Sequence, residues 1–198
     1  MISLLGAMRK QMNGAVADAM YYYGENYGLN YGVSLPTVRQ IAKQVTPDHS
    51  LAIYLYKQQV RELRLAALHI AQPEAITMQE IEFWAGGIIN SEVAEEMAFT
   101  LLPRIECFAE IFKTWSNGDN EFLAYAALMA AARSSMAGHE EIILGLPAMV
   151  KHFPSSRIIA QGAVALLAAT INLKPEMKEC ITSILSEMGD SPSANYIN

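Results

Sequence analysis

The chain has 198 residues, of which 52% are hydrophobic and 17% are charged, and its formal net charge is −6. This composition excludes an intrinsically disordered protein, and the length is ample for one hydrophobic core. The longest apolar run, residues 158–173, is too short to cross a bilayer. Arg9 and Lys10 follow the first apolar run instead of preceding it, which is not the order of a signal peptide. We therefore expect a soluble cytoplasmic protein with no membrane partner.

Apolar residues at helical spacing predict helices along the first third of the chain. Residues 3–24 carry this pattern, although Gly6 and Gly14 weaken it. Residues 21–32, which hold five tyrosines and three glycines, are predicted to be a helix end followed by an aromatic loop. Ser34 is predicted to cap the next helix. The helices expected from there on lie near residues 35–45, 48–59 and 60–72.

Capping residues mark the helices of the remaining chain. Thr77 and Glu80 are predicted to form a capping box, and Ser91 is predicted to cap the helix after it. Asp119 or Asn120 is predicted to cap an alanine-rich helix. The expected helices cover residues 77–84, 91–102, 105–115, 120–137, 139–152, 155–171 and 175–188.

The predicted elements favour an all-α fold. No segment shows the alternation of a β-strand, and short helices joined by short turns pair into antiparallel hairpins. Hairpins stacked side by side form an α-solenoid, although periodicity alone leaves an ordinary helical bundle open. We predict one repeat domain over residues 1–188 and a frayed tail over residues 189–198. The four histidines lack metal-ligand spacing and no phosphate-binding glycine loop is present, so we expect neither a metal nor a cofactor.

One stretch of the sequence resembles a known family. Residues 31–34 (YGVS), followed by Arg39 and Lys43 and then by residues 61–66 (RELRLA), are similar to the AlkD-like DNA alkylation-repair proteins. These proteins are HEAT-like helical-repeat DNA glycosylases. The resemblance extends over residues 16–188, and it implies a HEAT-like α-solenoid of stacked antiparallel helix pairs.

The resemblance also implies a catalytic site, and this sequence departs from it. The family has an Asp four residues after a Trp, then a helical Arg and a later Trp. In this chain Glu95 stands at the Asp position, Ser91 and Ala165 at the two Trp positions, and Tyr125 at the Arg position. Both aromatic faces and the cation are therefore replaced, and the carboxylate lies one methylene further out. We expect glycosylase activity to be lost, with Glu95 as the carboxylate if any activity remains.

The charge is unevenly distributed along the chain. Residues 1–71 hold seven Lys or Arg and four Asp or Glu, whereas residues 72–121 hold two basic and ten acidic residues. A DNA-binding surface needs cations opposite phosphates, so the first third is the predicted DNA-binding region. Alternatively, these cations lie on solvated helix faces or pair with acids such as Glu62. The predicted DNA-binding cluster is Arg39, Lys43, Lys57, Arg61 and Arg64.

Three functions are compatible with these residues. The favoured one is a repeat module that lacks glycosylase activity and binds a macromolecule, either a protein or, weakly and salt-dependently, DNA. The second is a DNA-binding protein that recognises damaged or distorted DNA through the basic first third. The third is an active glycosylase that excises cationic alkylated purines with Glu95. The tyrosines of residues 21–31 form a stacking surface for bases or a protein, or else they seal the open end of the solenoid.

Overall fold

The structure is a computed structural model that describes residues 2–24 and 27–188. Over these residues it contains twelve α-helices and four 3-10 turns and no strand, which confirms the predicted all-α class. A single isolated backbone bridge in this part joins Leu29 and Val60. Every helix within the described ranges is too short or too polar to cross a lipid bilayer. The predicted tail, residues 189–198, lies outside the described residues.

The helices follow one another through short connections. The first five are α1 (Ile2–Arg9), α2 (Gly14–Tyr22), α3 (Leu35–Ala42), α4 (His49–Tyr56) and α5 (Arg61–Ile70). The next four are α6 (Ile81–Ala85), α7 (Ser91–Thr100), α8 (Phe108–Ser116) and α9 (Glu121–Ala131). The last three are α10 (Glu140–His152), α11 (Arg157–Leu173) and α12 (Lys178–Met188). The 3-10 turns are Pro73–Ala75, Leu102–Arg104, Ser135–Gly138 and Pro175–Met177.

Two predicted caps are wrong. Helix α6 begins at Ile81, directly after Glu80, and the peptide N–H of Glu80 donates to the carbonyl of Thr77 within a turn. Thr77 therefore does not cap this helix. Helix α7 is capped by Asn90 and not by Ser91, because Oδ1 of Asn90 accepts from the peptide N–H of Val93 at 3.0 Å. Ser91 is instead the first helical residue.

Two further helix starts refine the predictions. The segment 3–24 contains two helices, because Oδ1 of Asn13 accepts from the N–H of Val16 at 3.3 Å and starts α2 afresh. Of the two candidate residues, Asn120 caps α9. Its Oδ1 accepts from the N–H groups of Phe122 and Leu123 at 3.0 and 3.2 Å. Asp119 instead lies 3.0 Å from Nε2 of His152.

The chain divides into two compact units, residues 1–76 and 77–198. In the first unit, α5 packs on both α3 and α4. The N–H of Asp48, just before α4, donates to the carbonyl of Ile70 at the end of α5 at 3.0 Å, so these two helices are antiparallel. Repeats in a solenoid contact mainly their neighbours, and the single domain over residues 1–188 stays a prediction.

In the second unit, α7, α9 and α11 lie side by side, and α8 packs on α9 while α10 packs on α11 and α12. The Ser156 hydroxyl, before α11, donates to the Glu121 carboxylate at the start of α9. Near the other end, Oγ1 of Thr170 on α11 donates to the carbonyl of Ala137, beyond α9, at 2.6 Å. The starts of α9 and α11 are therefore close together, and so are their ends. The two helices are parallel, as equivalent helices of consecutive repeats are.

Small residues allow α9 and α11 to approach closely. Helix α9 buries five alanines completely. On α11, a Cβ added to Gly162 would lie 3.0 Å from Cβ of Leu128 and 3.2 Å from Cδ2 of Tyr125. The side chains of Leu128 and Tyr125 would have to give way to a larger residue at position 162, so this glycine permits the close approach of the two helices.

Candidate functional site

The structure brings two of the four predicted catalytic positions into direct contact. Glu95 projects from α7 and is exposed, whereas Tyr125 on α9 is only 2% exposed. The Tyr125 hydroxyl donates a hydrogen bond of 2.7 Å to Oε1 of Glu95. The residue at the family's cation position is therefore a neutral donor to the residue at the family's carboxylate position.

Burial, together with this contact, keeps Tyr125 protonated. Burial raises the pKa of the Tyr125 phenol well above its usual range, and the hydrogen bond to Glu95 and the negative charge of Glu95 act in the same direction. The guanidinium of Arg133 opposes them and lowers the pKa of Tyr125, but it is the smallest of these effects. Tyr125 consequently offers a hydrogen bond at physiological pH and carries no charge.

The other two predicted positions supply no aromatic ring. Ser91 lies one turn before Glu95 on α7 and is half-buried, and Ala165 is half-buried on α11. Gly162, three residues before Ala165, packs against the Tyr125 ring. The rings that would hold a cationic base in the family are thus absent from these positions.

A pair that the sequence did not reveal lies near this site. Phe99, one turn after Glu95 on α7, is 55% exposed, and Cζ of Arg133 lies 5.8 Å from the centroid of its ring. Nη1 of Arg133 also donates to the carbonyl of Met129 on α9 at 2.9 Å. The four-residue spacing from Glu95 to Phe99 indicates that both lie on one face of α7, but only the packing of α7 on α9 brings Arg133 to that ring. Glu95 meets Tyr125 and Phe99 meets Arg133, so α7 and α9 are also parallel.

The predicted DNA-binding cluster divides by exposure. Lys43 and Lys57 are exposed, and Arg39 and Arg64 are half-buried. Cζ of Arg64 lies 5.9 Å from the centroid of the Tyr56 ring. These four cations all belong to the first unit, where their contact with DNA stays a prediction.

Arg61, the fifth member, belongs to the interior. It is 1% exposed and its neighbour Glu62 is completely buried. Nη1 of Arg61 donates to the carbonyl of Val33 at 2.7 Å and to Oε1 of Glu62 at 3.1 Å. The Glu62 carboxylate also accepts from the peptide N–H groups of Tyr31 and Val33, each at 3.2 Å. Arg61 therefore holds the segment before α3 against α5, and we remove it from the predicted DNA-binding cluster.

A groove of about 680 Å³ lies along α8 and α10 and contains none of the predicted site residues. Its lining combines apolar side chains such as Phe112 and Met149 with polar ones such as Lys113 and His139. Across residues 2–24 and 27–188, no three His, Cys, Asp or Glu side chains are grouped as metal ligands would be.

Comparisons with known proteins agree with this architecture. A family model described as DNA alkylation repair enzyme matches residues 4–158, most of the chain. No curated protein matches significantly. A solved structure described as "a new family of proteins related to the HEAT-like repeat DNA glycosylases with affinity for branched DNA structures" matches with a TM-score of 0.79 at 16% identity, over 98% of this chain and 91% of that chain. This likeness confirms the predicted HEAT-like α-solenoid fold.

Proposed function

This chain belongs to the DNA alkylation repair enzyme family, and we propose that it binds DNA of branched or distorted structure without excising alkylated bases. The hydrogen bond between Tyr125 and Glu95 carries the part of the proposal that concerns excision. A neutral phenol stands where the resemblance places a cation, and it donates to Glu95, the carboxylate that the resemblance implies would stabilise a positively charged sugar.

The energetics favour loss of excision. A desolvated cation–π contact contributes about 0.5–2 kcal/mol, and Ser91 and Ala165 provide none. A preorganised electrostatic contact to a transition state is worth about 2.7–4 kcal/mol, and Tyr125 supplies no full charge. Since about 1.4 kcal/mol corresponds to a factor of ten in rate, the combined loss amounts to several orders of magnitude.

The chemistry can be tested directly. We expect the wild type to release no 7-methylguanine from methylated DNA. The variants Glu95→Gln and Tyr125→Phe are assayed beside it. Robust release by the wild type that disappears in Glu95→Gln would overturn the non-catalytic assignment and make Glu95 the catalytic carboxylate.

Binding of DNA is supported by the first unit. Lys43 and Lys57 are exposed and Arg39 and Arg64 are half-buried. All four belong to a segment whose net charge is positive, which attracts phosphates. The solved structure of matching fold is described as having affinity for branched DNA. Four phosphate contacts give a logarithmic salt slope of about −3.6, so affinity should be modest and fall steeply with salt.

The binding experiment uses fluorescence anisotropy with a three-way DNA junction and a duplex of equal length, over a range of salt concentrations. Replacing Arg39, Lys43, Lys57 and Arg64 by Ala should abolish binding. Lys113→Ala and Lys178→Ala, which remove exposed cations of the second unit, are the matched controls. Affinity that survives the four substitutions, or that does not respond to salt, would refute phosphate binding by these four cations.

A further inference from the structure

Helix α2 presents its aromatic residues to solvent. Among the described side chains of this helix none is buried, and Tyr21, Tyr22 and Tyr23 are 75%, 83% and 81% exposed. The rings of Tyr22 and Tyr23 meet edge to face with centroids 5.4 Å apart. Rings exposed to this degree do not seal the core, a role that suits the buried Tyr27 and Tyr31 instead. Exposed aromatic rings offer faces on which unpaired bases can stack.

A cleft opens beside the first of these rings. It has a volume of about 210 Å³ and is lined by Ala17, Asp18 and Tyr21 of α2 and by residues 27–30 opposite. The buried Tyr27 forms part of its wall. The Asp18 carboxylate and the Asn30 amide are its polar side chains. The cleft is therefore narrow, part aromatic, and provided with groups that can bind the edge of a planar polar ligand.

The wall opposite α2 is held in place. The N–H of Leu29 donates to the carbonyl of Gln59, and the N–H of Arg61 donates to the carbonyl of Leu29, each at 2.9 Å. Oδ1 of Asn30 accepts from the N–H of Gly32 at 2.7 Å, which orients the Asn30 side chain. A wall fixed in this way lowers the ordering cost of binding a ligand in the cleft.

We propose that Tyr21, Tyr22 and Tyr23 stack on unpaired nucleobases of branched or gapped DNA, and that one such base lies in the cleft between Tyr21 and Asn30. The inference rests on the proposed function and gives it a structural basis for selectivity. In a continuous duplex each base is covered on both faces by its neighbours, whereas bases at a branch point or gap expose a face that an aromatic ring can cover.

Charge favours a nucleic acid over a protein as the occupant. Arg9 and Lys10, at the end of α1, are exposed, and Nε of Arg9 donates to the hydroxyl of Tyr31, near the start of α2, at 3.2 Å. These cations lie at the end of α2 opposite the tyrosines, roughly 12 Å along the helix, and suit phosphates that flank the stacked bases at that distance. Within the cleft, the Asp18 carboxylate repels phosphate and can accept hydrogen bonds from a base amino group. A base edge in the cleft and phosphates outside it match this arrangement.

The test compares a three-way junction that carries one unpaired adenine, a base with an amino group, at its branch point with a fully paired duplex of equal length. The variants are the triple substitution of Tyr21, Tyr22 and Tyr23 by Ala and the same triple substitution by Phe. Tyr54→Ala is the matched control, because Tyr54 is a 49% exposed tyrosine on α4 of the same unit. Circular dichroism checks that each variant is folded, which we expect because α2 buries none of its described side chains.

We expect the triple Ala variant to lose junction affinity by roughly 5- to 150-fold for each base unstacked, with duplex affinity nearly unchanged. The triple Phe variant and Tyr54→Ala should keep the preference for the junction. An unchanged preference in the triple Ala variant overturns the inference and leaves the surface to a protein partner. An equal loss in the Phe variant overturns stacking in favour of hydroxyl hydrogen bonds. Failure of the wild type to bind either DNA refutes the proposed function itself.

Discussion

Replacing Tyr125 by Phe removes one hydroxyl and leaves the ring against Gly162 unchanged. A hydrogen bond to a charged group contributes about 1.5–3 kcal/mol when both partners are buried. Glu95 is exposed, so its carboxylate regains water in the variant, and we expect a loss nearer 1 kcal/mol. For a chain of this length such a loss lowers Tm by about 2–4 °C, which thermal unfolding at neutral pH will resolve.

The same substitution changes the response to alkaline pH. The folded state raises the pKa of Tyr125 above that of the unfolded chain. The stabilisation is therefore fully present below the ordinary tyrosine pKa of about 10 and is lost as pH rises above it. The free energy of unfolding should fall by up to about 1.4 kcal/mol per pH unit for this one group. Tyr56, whose pKa burial also raises, contributes similarly, and Tyr56→Phe measures its share.

The unfolding curves separate these contributions. Tyr125→Phe should flatten the alkaline decline relative to the wild type, and Glu95→Gln should flatten it less, because burial remains the larger cause. A Tm equal to that of the wild type, together with an unchanged alkaline slope in Tyr125→Phe, would show that the hydroxyl does not engage Glu95. The structural argument against base excision would then lose its main support.

Two other predictions concern stability. Gly162→Ala should destabilise the protein by about 1–3 kcal/mol in urea unfolding, because the new Cβ meets Leu128. The control Gly145→Ala, in open space within α10, should instead stabilise the protein by about 0.5–1 kcal/mol. A stability change of the same sign in both variants would contradict the packing described. Arg61→Ala should cost about 3–5 kcal/mol by leaving Glu62 buried without its cation, while Arg61→Lys, if it restores stability fully, would show that the hydrogen bond to Val33 contributes little.

Much of the fold follows from local pattern. Apolar spacing and cap residues locate most helices to within a few residues, because both signals act over a single turn. The cap of α7, which is Asn90 and not the predicted Ser91, shows how far local pattern can be used. Both residues are good caps and they are neighbours in the chain. The choice between them depends on where the preceding chain leaves the loop, which no local pattern records.

The site needed more than local pattern. Glu95 and Tyr125 are thirty residues apart, and their contact depends on the relative position of two parallel helices. The burial of Arg61 likewise depends on Val33, which is twenty-eight residues earlier in the chain. Charged residues are usually exposed, so sequence alone favoured a surface role for Arg61. The sequence identifies the residue at each family position, but it does not show which other side chain that residue contacts.

Helix α2 combines an anchored start with an end whose tyrosines are exposed. The N–H of Asn13 donates to the carbonyl of Tyr31, and Gly32 lies so close to the Asn13 carbonyl that no side chain would fit there. The tyrosines lie at the other end of a nine-residue helix, which is shorter than the length at which isolated helices persist in water. Amide hydrogens near Tyr21 and Tyr22 should therefore exchange by local fraying, far faster than those of α9. A ligand that stacks on these rings would slow that exchange, so binding would be coupled to the ordering of half a helix.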